Sequence, residues 1–264
     1  EIQTENGLKE ALLYLESGNP SKAQKLLETL FEADLDCPEL MYTTLCCSFW
    51  GKTMSNLANI ENPYEQGETL LNEWKSFLNF ISKQKEEYKP AFFATQKGVF
   101  STALRIFTEL SENASPRQKA DIFLKTGMCY KKLGSFDNAC ACLTEANNIQ
   151  GGKAEILAEL ADCFSLCGND RNAKVLFREA FFVAPDKIDI DFLDSGLIRC
   201  LIDKLESKKY SRRVLVEWIP VYGVLWGIFN IKRELSSQEV GKLKQDIYAM
   251  ENEYKNPSCD AEVL

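Results

Sequence analysis

The chain has 264 residues, 45% of them hydrophobic and 27% charged, a balance that suits a folded chain with a sizeable core. Its net charge of −8 disfavours binding to phosphate backbones, which relies on clustered lysine and arginine. It has no histidine, which removes Ser-His-Asp and Cys-His catalysis and mixed Cys/His zinc sites.

In chain order, apolar residues recur at three- and four-residue spacing almost throughout, and no alternating strand pattern appears. Breakers punctuate this helical reading at Gly18-Asn19-Pro20, Cys37-Pro38, Asn62-Pro63, Lys89-Pro90, Ser115-Pro116, Gly134, Gly151-Gly152, Gly168 and Pro185. Residues 1–37 read as one helical hairpin. Residues 38–113 read as longer helices near 38–60, 63–88 and 90–113. Ser115-Pro116 supplies an N-cap and a first-turn proline for the next helix. Gly134 and Gly168 stand where helix C-termini need a left-handed residue.

Residues 114–187 contain an internal repeat. A shift of 34 residues brings Phe123 onto Leu157, Gly127 onto Ala161, Tyr130 onto Phe164, Gly134 onto Gly168, Ala139 onto Ala173, Leu143 onto Phe177 and Ala146 onto Ala180. Size matches as well as polarity, as close helix approach requires. This pattern resembles the tetratricopeptide repeat family. The 154–187 copy carries it best, with Leu157, Leu160, Ala161, Phe164, Gly168, Ala173, Phe177, Ala180 and Pro185. The 120–153 copy departs at Thr126 and Gly151. A third copy near 4–37 keeps Ala11, Tyr14, Gly18, Ala23 and Leu27. The resemblance implies an all-α, right-handed solenoid of antiparallel helical hairpins, of ten or eleven helices, closed by C-terminal capping helices over 188–255. Residues 256–264 read as a disordered tail.

The resemblance also implies a non-catalytic scaffold that holds a peptide or partner helix. Its groove would be lined by Asp121, Leu124, Met128, Lys131 and Lys132, then by Glu155, Ala158, Asp162 and Ser165. Family members that clamp a C-terminal carboxylate use lysine and asparagine at sites that hold Leu124, Met128, Ala158 and Asp162 here, so that clamp is absent. The expected ligand has basic or apolar character.

The segment "EWIPVYGVLWGIF" (217–229) is uncharged from Trp218 to Phe229 and flanked by Arg212-Arg213 and Lys232-Arg233. It is too short to span a bilayer. The main expectation is a buried helix. Trp218, Tyr222, Trp226 and Phe229 are the candidates for a partner surface, for self-association or for membrane contact, and the alternative function is a membrane-associated assembly or trafficking factor. The ten cysteines lie mostly in helical patterns, with Cys129 and Cys163 one repeat apart. They are expected to be reduced, buried thiols that pack as small apolar groups in a cytoplasmic protein. Cys140 and Cys142 lie two apart on one helix, and Cys163 and Cys167 four apart on the next. None of these pairs forms the Cys-x-x-Cys knuckle of a thiolate zinc site. No catalytic residue, metal ligand or cofactor is assigned. The chain begins at Glu1 and is read as trimmed or processed.

Overall fold

A computed structural model describes residues 2–31, 37–111, 114–229 and 235–255. Among them are twelve α-helices and one short 3-10 turn, one helix more than expected, and no strand. The expected tail at 256–264 lies outside the described residues. The chain divides into two compact units, Glu1–Gly151 and Gly152–Leu264.

The first unit holds α1 (Ile2–Glu16), α2 (Pro20–Phe31), α3 (Pro38–Leu57), α4 (Pro63–Ile81), α5 (Lys89–Ser111), α6 (Pro116–Lys132) and α7 (Phe136–Ile149). Proline opens α2, α3, α4 and α6, where its fixed φ suits the first turn and its missing N–H costs nothing. Asn62 caps α4, its side chain accepting from the Tyr64 backbone N–H at 3.0 Å. The hairpin α6–α7 ends its first helix in a Schellman turn. Ser135 N–H donates to Tyr130 C=O at 2.9 Å and Gly134 N–H to Lys131 C=O at 3.0 Å, with Gly134 at φ 77°. The same turn recurs at Gly18, from Asn19 to Tyr14 and from Gly18 to Leu15.

The off-pattern region has its own logic. Phe49 and Trp50 of α3, Trp74 and Phe77 of α4, and Phe92 and Phe100 of α5 pack ring to ring, with centroids 5.1 to 6.3 Å apart. Trp50, Trp74, Phe77 and Phe100 are fully buried, each worth about 3 kcal/mol or more of apolar transfer. The long helix α5 then packs against α1, so neighbours in space are not only neighbours in sequence. Gly98 makes this approach possible: a Cβ there would stand 2.0 Å from the Leu15 carbonyl oxygen. Lys97 pairs with Glu16 beside it at 2.6 Å.

The second unit holds α8 (Ala154–Leu166), α9 (Asp170–Val183), the 3-10 turn Pro185–Lys187, α10 (Gly196–Glu206), α11 (Arg212–Leu225) and α12 (Ser237–Tyr254). The α8–α9 hairpin repeats the Schellman turn, from Asn169 N–H to Phe164 C=O at 2.8 Å and from Gly168 N–H to Ser165 C=O at 2.9 Å. Its core joins Leu157, Ala158, Ala161, Ala173, Phe177 and Ala180 to Ile190, Leu193, Ile198, Leu201 and Ile219 from the segments that follow.

Candidate functional site

The nine residues expected to line a groove fall into two sets, one in each unit. In the first unit, Leu124, Met128 and Lys131 are buried, and Asp121 and Lys132 are half-buried. Asp121 accepts a short hydrogen bond from the Tyr64 hydroxyl. Lys125 pairs with Glu68 at 3.2 Å, and the Lys132 carbonyl accepts from the Gln96 side chain at 2.7 Å. Burial, and then the Asp121 hydrogen bond, push the Tyr64 phenol above its ordinary range. These contacts hold α6 against α4 and α5. Leu124, Met128 and Lys131 therefore serve the interior rather than an open groove, which corrects the expectation for them.

In the second unit the correction has a visible cause. Ala158 and Asp162 are buried, Asp162 at 0% exposure, while Glu155 and Ser165 are half-exposed. The Asp162 carboxylate accepts the backbone N–H of Asp194 at 2.9 Å and of Ser195 at 2.8 Å. Ser195 is the N-cap of α10, where unsatisfied N–H groups and the helix dipole favour an anion. The chain after Pro185 thus lies on the α8 face, with Ile188, Ile190 and Leu193 in the same core as Ala158. Ser165 Oγ donates to Asp170 Oδ1 at 2.7 Å, a contact within the hairpin. A carboxylate inside the apolar run "ILAELADCF" is the sign of this staple that the sequence offers.

The 217–229 segment is neither wholly buried nor open. Val214, Leu215, Val216, Ile219 and Gly223 of α11 face the core. Phe229 is also buried, at 1% exposure, and stacks on Phe181 with ring centroids 5.7 Å apart. Phe229 is therefore a core residue and not a surface candidate. Gly223 allows its approach, since a Cβ there would meet the Phe229 ring at 2.3 Å. The other side of α11 stays in water: Val221, Val224 and Trp226 are exposed, and Leu225 is 70% exposed. This one-sided burial is hidden in the sequence because both faces are apolar.

Beside these residues runs an aromatic ladder. Tyr210 stacks on Trp218, Trp218 meets Tyr222 edge-on, and Tyr222 leans on Trp226 at 4.9 Å between centroids. Trp218 and Tyr222 are half-buried. Lys204 Nζ lies 5.1 Å from the Trp226 ring centroid and Lys208 Nζ lies 5.2 Å from that of Tyr222, within cation–π range. Of the four surface candidates in this segment, three share one edge of the unit.

Cys46, Cys47, Cys129 and Cys163 are buried, while Cys167 and Cys200 are exposed. Desolvation pushes the Cys46 and Cys47 thiols up to about 12 and raises Cys129 further. Thiols held neutral in this way are poor nucleophiles. No helix among the described residues is long and apolar enough to cross a membrane.

Comparison with known proteins adds the following. Residues 120–151 match the family model described as "Tetratricopeptide repeat". No curated protein matches the chain. A solved structure of a thermophilic tetratricopeptide-repeat protein from Thermus thermophilus is similar, with 21% sequence identity and a TM-score of 0.33. The likeness covers 72% of this chain and 94% of that one.

Proposed function

For a chain that carries a tetratricopeptide repeat in an all-α fold of helical hairpins, a type of module that generally mediates protein–protein interaction, we propose a non-catalytic scaffold that holds a protein partner on the outer face of α11. The observation that carries this reading is the exposed apolar group Val221, Val224, Leu225 and Trp226, bordered by half-buried Trp218 and Tyr222. Contiguous exposed apolar surface costs solubility and is kept where something covers it. Aromatic residues with a polar handle suit the centre of such an interface. The scaffold works in the cytoplasm, where its cysteines stay reduced.

The test is crosslinking in cells followed by mass spectrometry, with the wild-type chain, with Leu225→Asp and Val221→Asp, and with Met41→Asp as a control on exposed apolar surface elsewhere. The expected result is loss of a partner set from both α11 variants and its retention by the control. An identical partner set for all four chains would overturn the reading. A second reading, contact with a membrane surface, is favoured by the lysines over Trp226 and Tyr222 beside exposed Leu225. Co-sedimentation with anionic vesicles separates the two, because it is lost with Leu225→Asp only if the membrane is the partner.

A further inference from the structure

The apolar face of α11 is bordered by charge, and that charge comes from α10. The two helices run antiparallel along this border, with Lys208 over Tyr222 and Lys204 over Trp226. The acidic residues of α10 lie elsewhere. Asp203 pairs with Arg199. Glu206 lies 3.8 Å from Arg199 and 3.9 Å from Arg212, whose nearer partner is Asp191 at 2.7 Å. At about 100° per residue, Lys204 and Lys208 stand on the opposite side of α10 from Arg199, Asp203 and Glu206. Among the described residues neither lysine pairs with a carboxylate. A ring face takes up positive charge but offers no lone pair, and an ammonium group carries three N–H donors. Both lysines are exposed, so those donors remain open to an anion beside exposed Leu225 and Trp226.

Spacing adds to this. Lys204 and Lys208 are four residues apart on one helix, about 6 Å along its axis. Carboxylates four residues apart on a second helix match that step. An anionic bilayer fits less well. It draws proteins by the number of basic groups near its surface, whereas this chain carries a net charge of −8 and places Glu217 one turn before Val221. On the reading that α11 docks a protein partner, we propose that the occupant is an amphipathic helix with one acidic edge. Its apolar stripe covers Val221, Leu225 and Trp226. Its edge carries aspartate or glutamate at four-residue spacing, seated on Lys204 and Lys208. The apolar contact supplies adhesion, and the lysine pair sets which helix is accepted.

The test uses the full chain and two labelled synthetic helices with the same Ile/Leu stripe, read by fluorescence anisotropy. One is edged with glutamate at four-residue spacing and the other with lysine. The glutamate-edged helix is expected to bind at least about tenfold more tightly, and added salt should narrow the difference. The double variant Lys204→Glu/Lys208→Glu should reverse the preference, an outcome that only a folded chain can give. Leu225→Asp should abolish binding of both helices. Equal affinity for the two helices, lost with Leu225→Asp, would overturn the acidic partner and leave α11 as the docking face. Binding that survives Leu225→Asp would overturn both readings. Binding of neither helix would also overturn the proposal. Phosphatidylglycerol vesicles that sediment the wild type but not Leu225→Asp would then identify a bilayer as the occupant, and wild-type self-association dissolved by Leu225→Asp would identify a second copy.

Discussion

Asp162 is the residue on which the second unit turns. Its side chain is fully buried, and its carboxylate accepts two backbone N–H donors at the start of α10. Charge-assisted bonds of this kind are each worth about 1.5–3 kcal/mol, and removing the acceptor leaves two buried donors unmet. Asp162→Ala is therefore expected to lower unfolding stability by about 3 kcal/mol or more, measured by urea denaturation. Asp162→Asn keeps an acceptor oxygen and should cost less. Equal stability of Asp162→Ala and the wild type would mean that the staple is ornamental. In the sequence Asp162 reads as a ligand-facing group, because a carboxylate at that repeat position is polar wherever the helix stands alone. What makes it structural is Asp194 and Ser195, more than thirty residues later, and no local pattern reports that.

At the scale of elements, glycine separates two kinds of constraint. Gly168 sits at φ 79° with nothing within 4 Å of an added Cβ, so Gly168→Ala should cost only the left-handed conformation, about 1 kcal/mol. Gly98 lies inside α5, where a Cβ would strike the Leu15 carbonyl, and Gly98→Ala must force α5 off α1, at about 3 kcal/mol. Thermal denaturation of the two variants should separate them, and the same loss for both would refute the distinction. Gly134 and Gly168 are legible in the sequence, because a Schellman turn is written in a few consecutive residues. Gly98 is not, because its reason is another helix eighty residues away. Helices α3 and α4 end at Leu57 and Ile81, short of the expected 60 and 88, where no such residue stands. The starts of α3, α4 and α6 and the turns of the α6–α7 and α8–α9 hairpins follow from their prolines and glycines in the same local way. The aromatic core of α3, α4 and α5 does not, since its rings meet across three helices that carry no repeat register. The two faces of α11 are hidden for a simpler reason: exposed and buried positions carry the same apolar residue types.

Across the whole molecule, the thiols give stability a dependence on alkaline pH. Cys46 and Cys47 are pushed from an ordinary value of 9.0 up to about 12 by burial. Between those values the unfolded chain releases these protons and the folded chain keeps them, so the unfolded state gains. Their contribution is fully present below about pH 9 and is lost as pH rises toward 12, by roughly 1.4 kcal/mol per pH unit for each thiol. The Cys46→Ala/Cys47→Ala variant should therefore lose stability less steeply than the wild type in urea titrations above pH 9, and parallel slopes would contradict the assignment. The segment that Asp162 holds over α8 has a last consequence, for competition. Tethered to α9 by a few residues, it sits on that face at an effective concentration on the order of millimolar, before any bond is counted. A free peptide seeking the same face must displace an occupant that never diffuses away. Evolution of a new ligand there would have to begin by weakening the chain's hold on itself, whereas Val221, Val224 and Leu225 on the outer side of α11 are exposed and carry no such staple among the described residues.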